Sequence, residues 1–179
     1  VNMAKFGERF LLGFTSPRSP QLISEYIKII RKYNLDGKNY DTDLQESFYN
    51  ILSREKVAGV ETGNAKNKAL AGRDKLTRMP QALGFLITQH NKKFQITEAG
   101  ALLENKDLFS DIMLHQILKY QLPSVLHREQ ETNKGRFNIK PFLELIRLIN
   151  KLDYLTYNEL LTYGMTFTDY NEFDNVVEA

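Results

Sequence analysis

The segment "QLISEYIKIIRKYN", residues 21–34, carries apolar side chains at spacings of three and four. The members of this stripe are Leu22, Ile23, Tyr26, Ile27, Ile30 and Tyr33. Such a period places them on one side of an α-helix. The next segment, "DTDLQESFYNILSRE", repeats the pattern with Leu44, Phe48, Ile51 and Leu52, and either Asp41 or Asp43 is suited to cap its start. The chain is therefore predicted to open with two amphipathic helices.

A third helix is predicted within "GRDKLTRMPQALGFL", beginning at Gly72 or Arg73. At 100° per residue, Leu76, Met79 and Leu83 fall on one side of this helix. The opposite side carries polar and charged residues, namely Arg73, Asp74, Thr77, Arg78 and Gln81. Proline is poorly tolerated inside a helix, so Pro80 predicts a kink or a helix that ends at Met79.

The runs "LGFLI" and "KFQIT", separated by "TQHNK", predict a β-hairpin that would form a wing. Thr97 is placed to cap a helix in "EAGALLEN", and "DLFSDIMLHQILKYQL" predicts a further helix. The apolar stripe of that last helix is expected to run through Leu108, Ile112, Ile117 and Leu118. Three helices, a hairpin and a return helix predict a mainly α winged helix-turn-helix domain over residues 1–130.

A polar stretch, "REQETNKGRF", marks the expected domain boundary, and a second helical subdomain is predicted over residues 136–179. Pro141 lies near the start of its first helix, and Thr156 with Glu159 forms a capping-box pattern for the next. The pattern stops abruptly, so this subdomain is expected to be truncated. The aromatic residues expected in the core are Phe48, Phe94, Phe142 and Tyr154.

Charge is unevenly distributed along the chain, although the formal net charge is only +2. Residues 54–93 hold nine Lys and Arg against three Asp and Glu, which gives this window a net charge of +6. Residues 100–179 hold eight against twelve, a net charge of −4. A local basic excess of this kind is the electrostatic footprint of a phosphate-binding surface, although charge runs more often form only a solvated helix face.

Several classes of protein are excluded or disfavoured by composition. The chain has no cysteine, which excludes disulfides and zinc fingers, and it has three histidines. The acidic groups Asp41 with Asp43, and Asp169 with Glu172 and Asp174, are interpreted as helix caps, so no metal site and no catalytic residue are assigned. No apolar run has the length of about 18 to 20 residues that a membrane span needs, and a cytoplasmic location is expected.

The basic segment suggests distinct contacts with duplex DNA. The side chains of Arg73 and Arg78 are suited to hydrogen-bond guanine, and that of Gln81 is suited to hydrogen-bond adenine. Asp74 either accepts a hydrogen bond from cytosine or, as we favour, caps the helix. Lysines are better suited to phosphates than to bases. The remaining candidates for DNA contact are Arg18, held between two prolines in "SPRSP", and Lys75, Thr77, Lys92 and Lys93.

Five motifs follow one another along the chain: "SPRSP", "GRDKLTRMPQALGFL", "ITEAGALL", "LKYQLPSVLH" and "INKLDYLTYNELL". In this order they resemble the N-terminal recognition region of AlwI-type restriction endonucleases, a type IIS group that includes strand-nicking relatives. The resemblance implies sequence-specific recognition of double-stranded DNA at a short asymmetric site by a monomer. It also implies a separate nuclease domain that uses Mg²⁺. We find no "PD…(D/E)xK" pattern in these 179 residues, and the nuclease domain is expected beyond them.

Two other functions remain compatible with the same elements. A winged-helix transcriptional regulator is expected to dimerise on a two-fold symmetric site. A winged-helix protein-interaction module is expected to show no salt-sensitive binding to duplex DNA.

Overall fold

The computed structural model describes residues 16–89, 92–124, 137–166 and 168–178. They form two compact units, one running to Leu114 and the other starting at His115. The domain boundary predicted near residue 130 lies outside the described residues and stays a prediction. The described chain is mainly helical with one two-stranded sheet, so the predicted fold class is confirmed.

The first two helices form where the apolar stripes predict them. Helix α1 spans Gln21–Lys32 and α2 spans Thr42–Arg54. Their buried faces include Ile23, Tyr26, Ile27 and Ile30 on α1, and Leu44, Phe48, Ile51 and Leu52 on α2. The rings of Tyr26 and Phe48 meet edge to face at 5.8 Å. The Asp41 side chain accepts a hydrogen bond from the backbone of Leu44 at 2.9 Å, which confirms it as the cap of α2.

Helix α3 spans Lys68–Thr77 and begins earlier than predicted. The Asn67 side chain accepts from the Leu70 amide at 2.8 Å and so starts the helix four to five residues before the predicted position. The predicted break near Pro80 is present, but it falls at Arg78, whose ψ of −95° is not helical. A new turn, α4, spans Met79–Ala82 and places Pro80 in its first turn, where the missing N–H leaves no hydrogen bond unmade.

The predicted hairpin is also present. Strand β1, Leu86–Ile87, pairs with the antiparallel strand β2, Gln95–Ile96. The loop between α1 and α2 runs beside the second arm of the hairpin, because Asn39 bridges to Lys93 and the Phe94 amide donates to the Lys38 carbonyl at 2.7 Å. The second arm of the hairpin is thereby bonded to the loop between α1 and α2.

Two short helical segments complete the first part of the chain. Helix α5 spans Glu98–Leu102 and is capped by the Thr97 hydroxyl, as predicted. Helix α6 spans Phe109–Lys119. Its predicted apolar stripe is partly wrong, since Leu108 precedes the helix and is exposed, whereas the buried residue of α6 is Met113.

The second unit is built from short helices. Helix α7 spans Pro141–Leu152 and α8 spans Tyr157–Glu159, followed by a π-helical turn at Leu160–Gly164. A 3₁₀ turn at Tyr170–Glu172 leads into α9, Phe173–Val177. The Thr156 to Glu159 capping box forms as predicted.

The aspartate cap predicted in this unit is confirmed at Asp169, and one predicted core residue is wrong. Tyr154 is 69% exposed, because α7 ends before it and Asp153 adopts a left-handed φ of 68° that turns the chain away. None of the described helices combines the length and the apolarity needed to cross a bilayer.

Candidate nucleic-acid interface

Helix α3 presents two arginines around one carboxylate. The Nη2 atom of Arg73 lies 3.2 Å from Oδ1 of Asp74, and the Nη2 atom of Arg78 lies 3.6 Å from its Oδ2. Both arginine side chains are more than 40% exposed. The interpretation of Asp74 as a helix cap is wrong, because α3 starts at Lys68 and its cap is Asn67. Asp74 instead pairs with both neighbouring guanidinium groups.

The Thr77 hydroxyl is used within α3. It donates to the backbone carbonyl of Arg73 at 2.9 Å, one helical turn earlier. Because the hydroxyl proton is engaged there, Thr77 keeps acceptor capacity and a methyl group for any external contact.

The "SPRSP" segment lies against the junction between α3 and α4. The Met79 amide donates to the Ser16 carbonyl at 3.1 Å, and Pro17 is buried. This attachment holds the exposed Arg18 close to α3, where its charge acts on Lys75. Two cations that are distant in sequence are therefore brought together.

Lys75 lies in an unfavourable environment for its own charge. Burial is the main cause that lowers the pKa of its ammonium group, and the positive charge of Arg18 lowers it further. The carboxylates of Asp74 and Glu61 act in the opposite direction, but no ion pair joins Lys75 to a carboxylate in the described part of the chain. A bound anion would relieve the repulsion between Lys75 and Arg18.

The side-chain amide of Gln81 forms two hydrogen bonds within the protein. Its oxygen accepts from the Thr88 hydroxyl, and its nitrogen donates to the Thr88 carbonyl at 3.4 Å. Thr88 is buried directly after β1, so these bonds connect α4 to the hairpin. An adenine contact by Gln81 would require them to break.

The two hairpin lysines are exposed and their backbone is fixed. The Lys92 carbonyl accepts from the Tyr40 amide at 2.7 Å, and Lys93 forms the bridge with Asn39. Residues 90 and 91 lie outside the described residues. Both lysines are thus presented from a backbone segment that precedes β2 and is bonded to the loop between α1 and α2.

Three supporting residues were not identified from the sequence: Ser16, Tyr40 and Thr88. Ser16 and Tyr40 act through partners more than fifty residues away, and Thr88 acts through Gln81 across the start of the hairpin, so no local pattern marks these contacts. Among the described residues, no group of three or more His, Asp or Glu side chains is arranged to hold a metal ion.

The fold and this surface define a mainly helical protein with a helix and a hairpin that expose basic side chains. A family model described as AlwI restriction endonuclease matches residues 81–179, which is more than half of the chain. The chain belongs to the AlwI restriction endonuclease family. No curated protein matches it. Of the candidate contact residues, Gln81, Lys92 and Lys93 lie inside the matched region, and the others precede it.

Proposed function

We propose that this chain reads a short, asymmetric sequence in double-stranded DNA as the recognition part of a restriction or nicking endonuclease. Membership of the family supports the restriction role. The observation that carries DNA binding is the set of basic side chains exposed on α3 and beside the hairpin, together with the partly buried Lys75, whose pKa is lowered by burial and by the positive charge of Arg18. Such an arrangement favours an anionic partner such as a DNA phosphate.

The order of elements supports a winged helix as the reading device. The chain runs through α1, the loop at Asn39, α2, α3, the α4 turn and the β1–β2 hairpin, and Asn39 pairs with Lys93. Because α4 is a turn of four residues, α3 is the last long helix before the wing. In winged helix-turn-helix proteins the helix before the wing enters the major groove. We therefore assign α3 as the recognition helix.

We divide the proposed DNA contacts into base contacts and phosphate contacts according to the chemistry of each side chain. Arg73 and Arg78 can each present two parallel donors to a guanine, and they are assigned to bases together with Thr77. The ammonium groups of Lys75, Lys92 and Lys93, with Arg18, are assigned to phosphates, which set position and affinity without reading sequence. We assign hydrolysis and its Mg²⁺ to residues outside the described part of the chain, in which no three His, Asp or Glu side chains are grouped to hold a metal ion.

The test begins with selection of duplexes from a random library by the 179-residue chain, followed by affinity titration at several salt concentrations. Lys92→Ala should weaken binding to all duplexes alike and reduce the slope of log K against log salt by about 1. Lys28→Ala is the matched control, since Lys28 is exposed on α1, away from the proposed surface. It should leave the slope unchanged.

Three results would contradict the proposal. Absence of salt-sensitive duplex binding would favour a protein-interaction module. A dimer on a two-fold symmetric selected site would favour a transcriptional regulator. Equal effects of Lys92→Ala and Lys28→Ala would remove the hairpin from the interface.

A further inference from the structure

We infer that Asp74 is a positioning residue that orients Arg73 and Arg78 toward guanine bases. The inference rests on the proposed function and adds the base class that α3 reads. Each carboxylate oxygen of Asp74 lies near one arginine. Its Oδ1 atom is 3.2 Å from Nη2 of Arg73, and its Oδ2 atom is 3.6 Å from Nη2 of Arg78. One side chain thus fixes the separation of two guanidinium groups.

The contact with Asp74 leaves most donors of each arginine free. A guanidinium group has five N–H donors in a planar fork, and Asp74 is approached through a single terminal nitrogen, Nη2, in each case. Guanine is read by two parallel donors directed at O6 and N7. Each arginine therefore retains a pair of donors for a base, while Asp74 accepts a hydrogen bond from Arg73 and attracts the charge of Arg78 at 3.6 Å.

The backbone around these arginines is also fixed. The Arg78 amide donates to the Asp74 carbonyl at 3.3 Å, and the Arg78 carbonyl accepts from Ala82 at 3.1 Å. The Arg73 carbonyl accepts from the Thr77 hydroxyl. The remaining freedom lies in two long side chains, and Asp74 restricts both of them, which lowers the entropy lost when a base is bound.

A carboxylate on a DNA-binding surface has two effects of opposite sign. Its charge repels every phosphate, which weakens binding to any sequence. Its contacts orient the arginines, which strengthens binding only where guanines are placed to receive them. An ion pair this exposed adds little to folding stability, so removal of the carboxylate should not unfold the chain.

The experiment compares the wild-type chain with Asp74→Asn, using a duplex that carries the selected sequence and a scrambled duplex. We expect Asp74→Asn to bind the scrambled duplex about threefold more tightly, because one negative charge is lost. The ratio of selected to scrambled affinity should fall about tenfold, with the loss confined to guanine positions of the selected motif.

Two variants separate positioning from charge. Arg78→Lys keeps the charge but cannot offer two parallel donors, so it should lose the preference for one guanine and lower the ratio of selected to scrambled affinity. Asp107→Asn makes the same change of charge as Asp74→Asn at an exposed site between α5 and α6. It should alter neither the affinity ratio nor the motif.

The outcomes are distinct. If Asp74→Asn leaves the ratio of selected to scrambled affinity unchanged, because it tightens binding to both duplexes equally, then Asp74 acts only by repelling phosphates. That result would overturn the inference. A selected motif without guanines at the affected positions would also overturn it while leaving the proposed function intact. Failure of the wild-type chain to select any duplex would instead refute the proposed function.

Discussion

Gly72 offers the most direct test of how α3 is held in place. A Cβ atom built at Gly72 would lie 2.0 Å from the backbone oxygen of Gln45 and 2.9 Å from its carbon. Gln45 belongs to α2, so the absence of a side chain at residue 72 allows the two helices to approach closely. The obstructing atoms are main chain and cannot rotate away. In Gly72→Ala, the helices must separate.

The size of the effect follows from two opposing contributions. A distance of 2.0 Å is about 1.4 Å short of an ordinary contact, and overpacking of this kind costs up to about 3 kcal/mol. Alanine is favoured over glycine inside a helix by about 1 kcal/mol. We therefore expect Gly72→Ala to lower the free energy of unfolding by about 2 kcal/mol.

Urea denaturation followed by circular dichroism measures this change, with an expected fall in midpoint of about 1 M. Ala69→Gly in the same helix is the matched control for helix propensity and should cost about 0.5 to 1 kcal/mol. A Gly72→Ala chain as stable as wild type would show that α3 does not pack this closely on α2. The assignment of α3 as a rigidly held helix would then fail.

Two further substitutions test local features. Burial raises the pKa of Tyr40 to about 12, so its contribution to stability is complete below pH 10 and is lost as pH rises from 10 to 12. Tyr40→Phe removes the titrating hydroxyl and should therefore reduce the alkaline loss of stability in urea titrations by on the order of 2 to 3 kcal/mol. Asn67→Ala removes the cap of α3 and should cost about 1 kcal/mol, with hydrogen exchange accelerated in the first turn of α3 and unchanged in α2.

Features set by neighbouring residues were predictable from the sequence. The stripes of α1 and α2, the Asp41 cap, the hairpin and the Thr156 to Glu159 capping box all depend on residues within a few positions of one another. Asn67 is a strong capping residue, so the true start of α3 is also marked locally, although the predicted start is Gly72 or Arg73.

Features set by tertiary contacts were not predictable in the same way. Tyr154 continues the apolar pattern of α7, yet the left-handed turn at Asp153 removes it from the core. Gln81 has the side chain of a base reader, and only the folded hairpin brings Thr88 to its amide. Likewise, the proximity of Arg18 to Lys75 depends on the Ser16 to Met79 hydrogen bond across more than sixty residues.

A count of charges treats every residue of the basic segment alike, whereas the structure separates two kinds of cation. Arg73 and Arg78 are paired with Asp74, so their charge is partly neutralised and their geometry is restricted. Lys75 lies beside another cation and forms no ion pair with the described carboxylates. Restricted geometry suits the reading of bases, and unneutralised charge suits the attraction of phosphates. Salt should therefore weaken the contribution of Lys75 strongly and change the base preference set by Arg73 and Arg78 little.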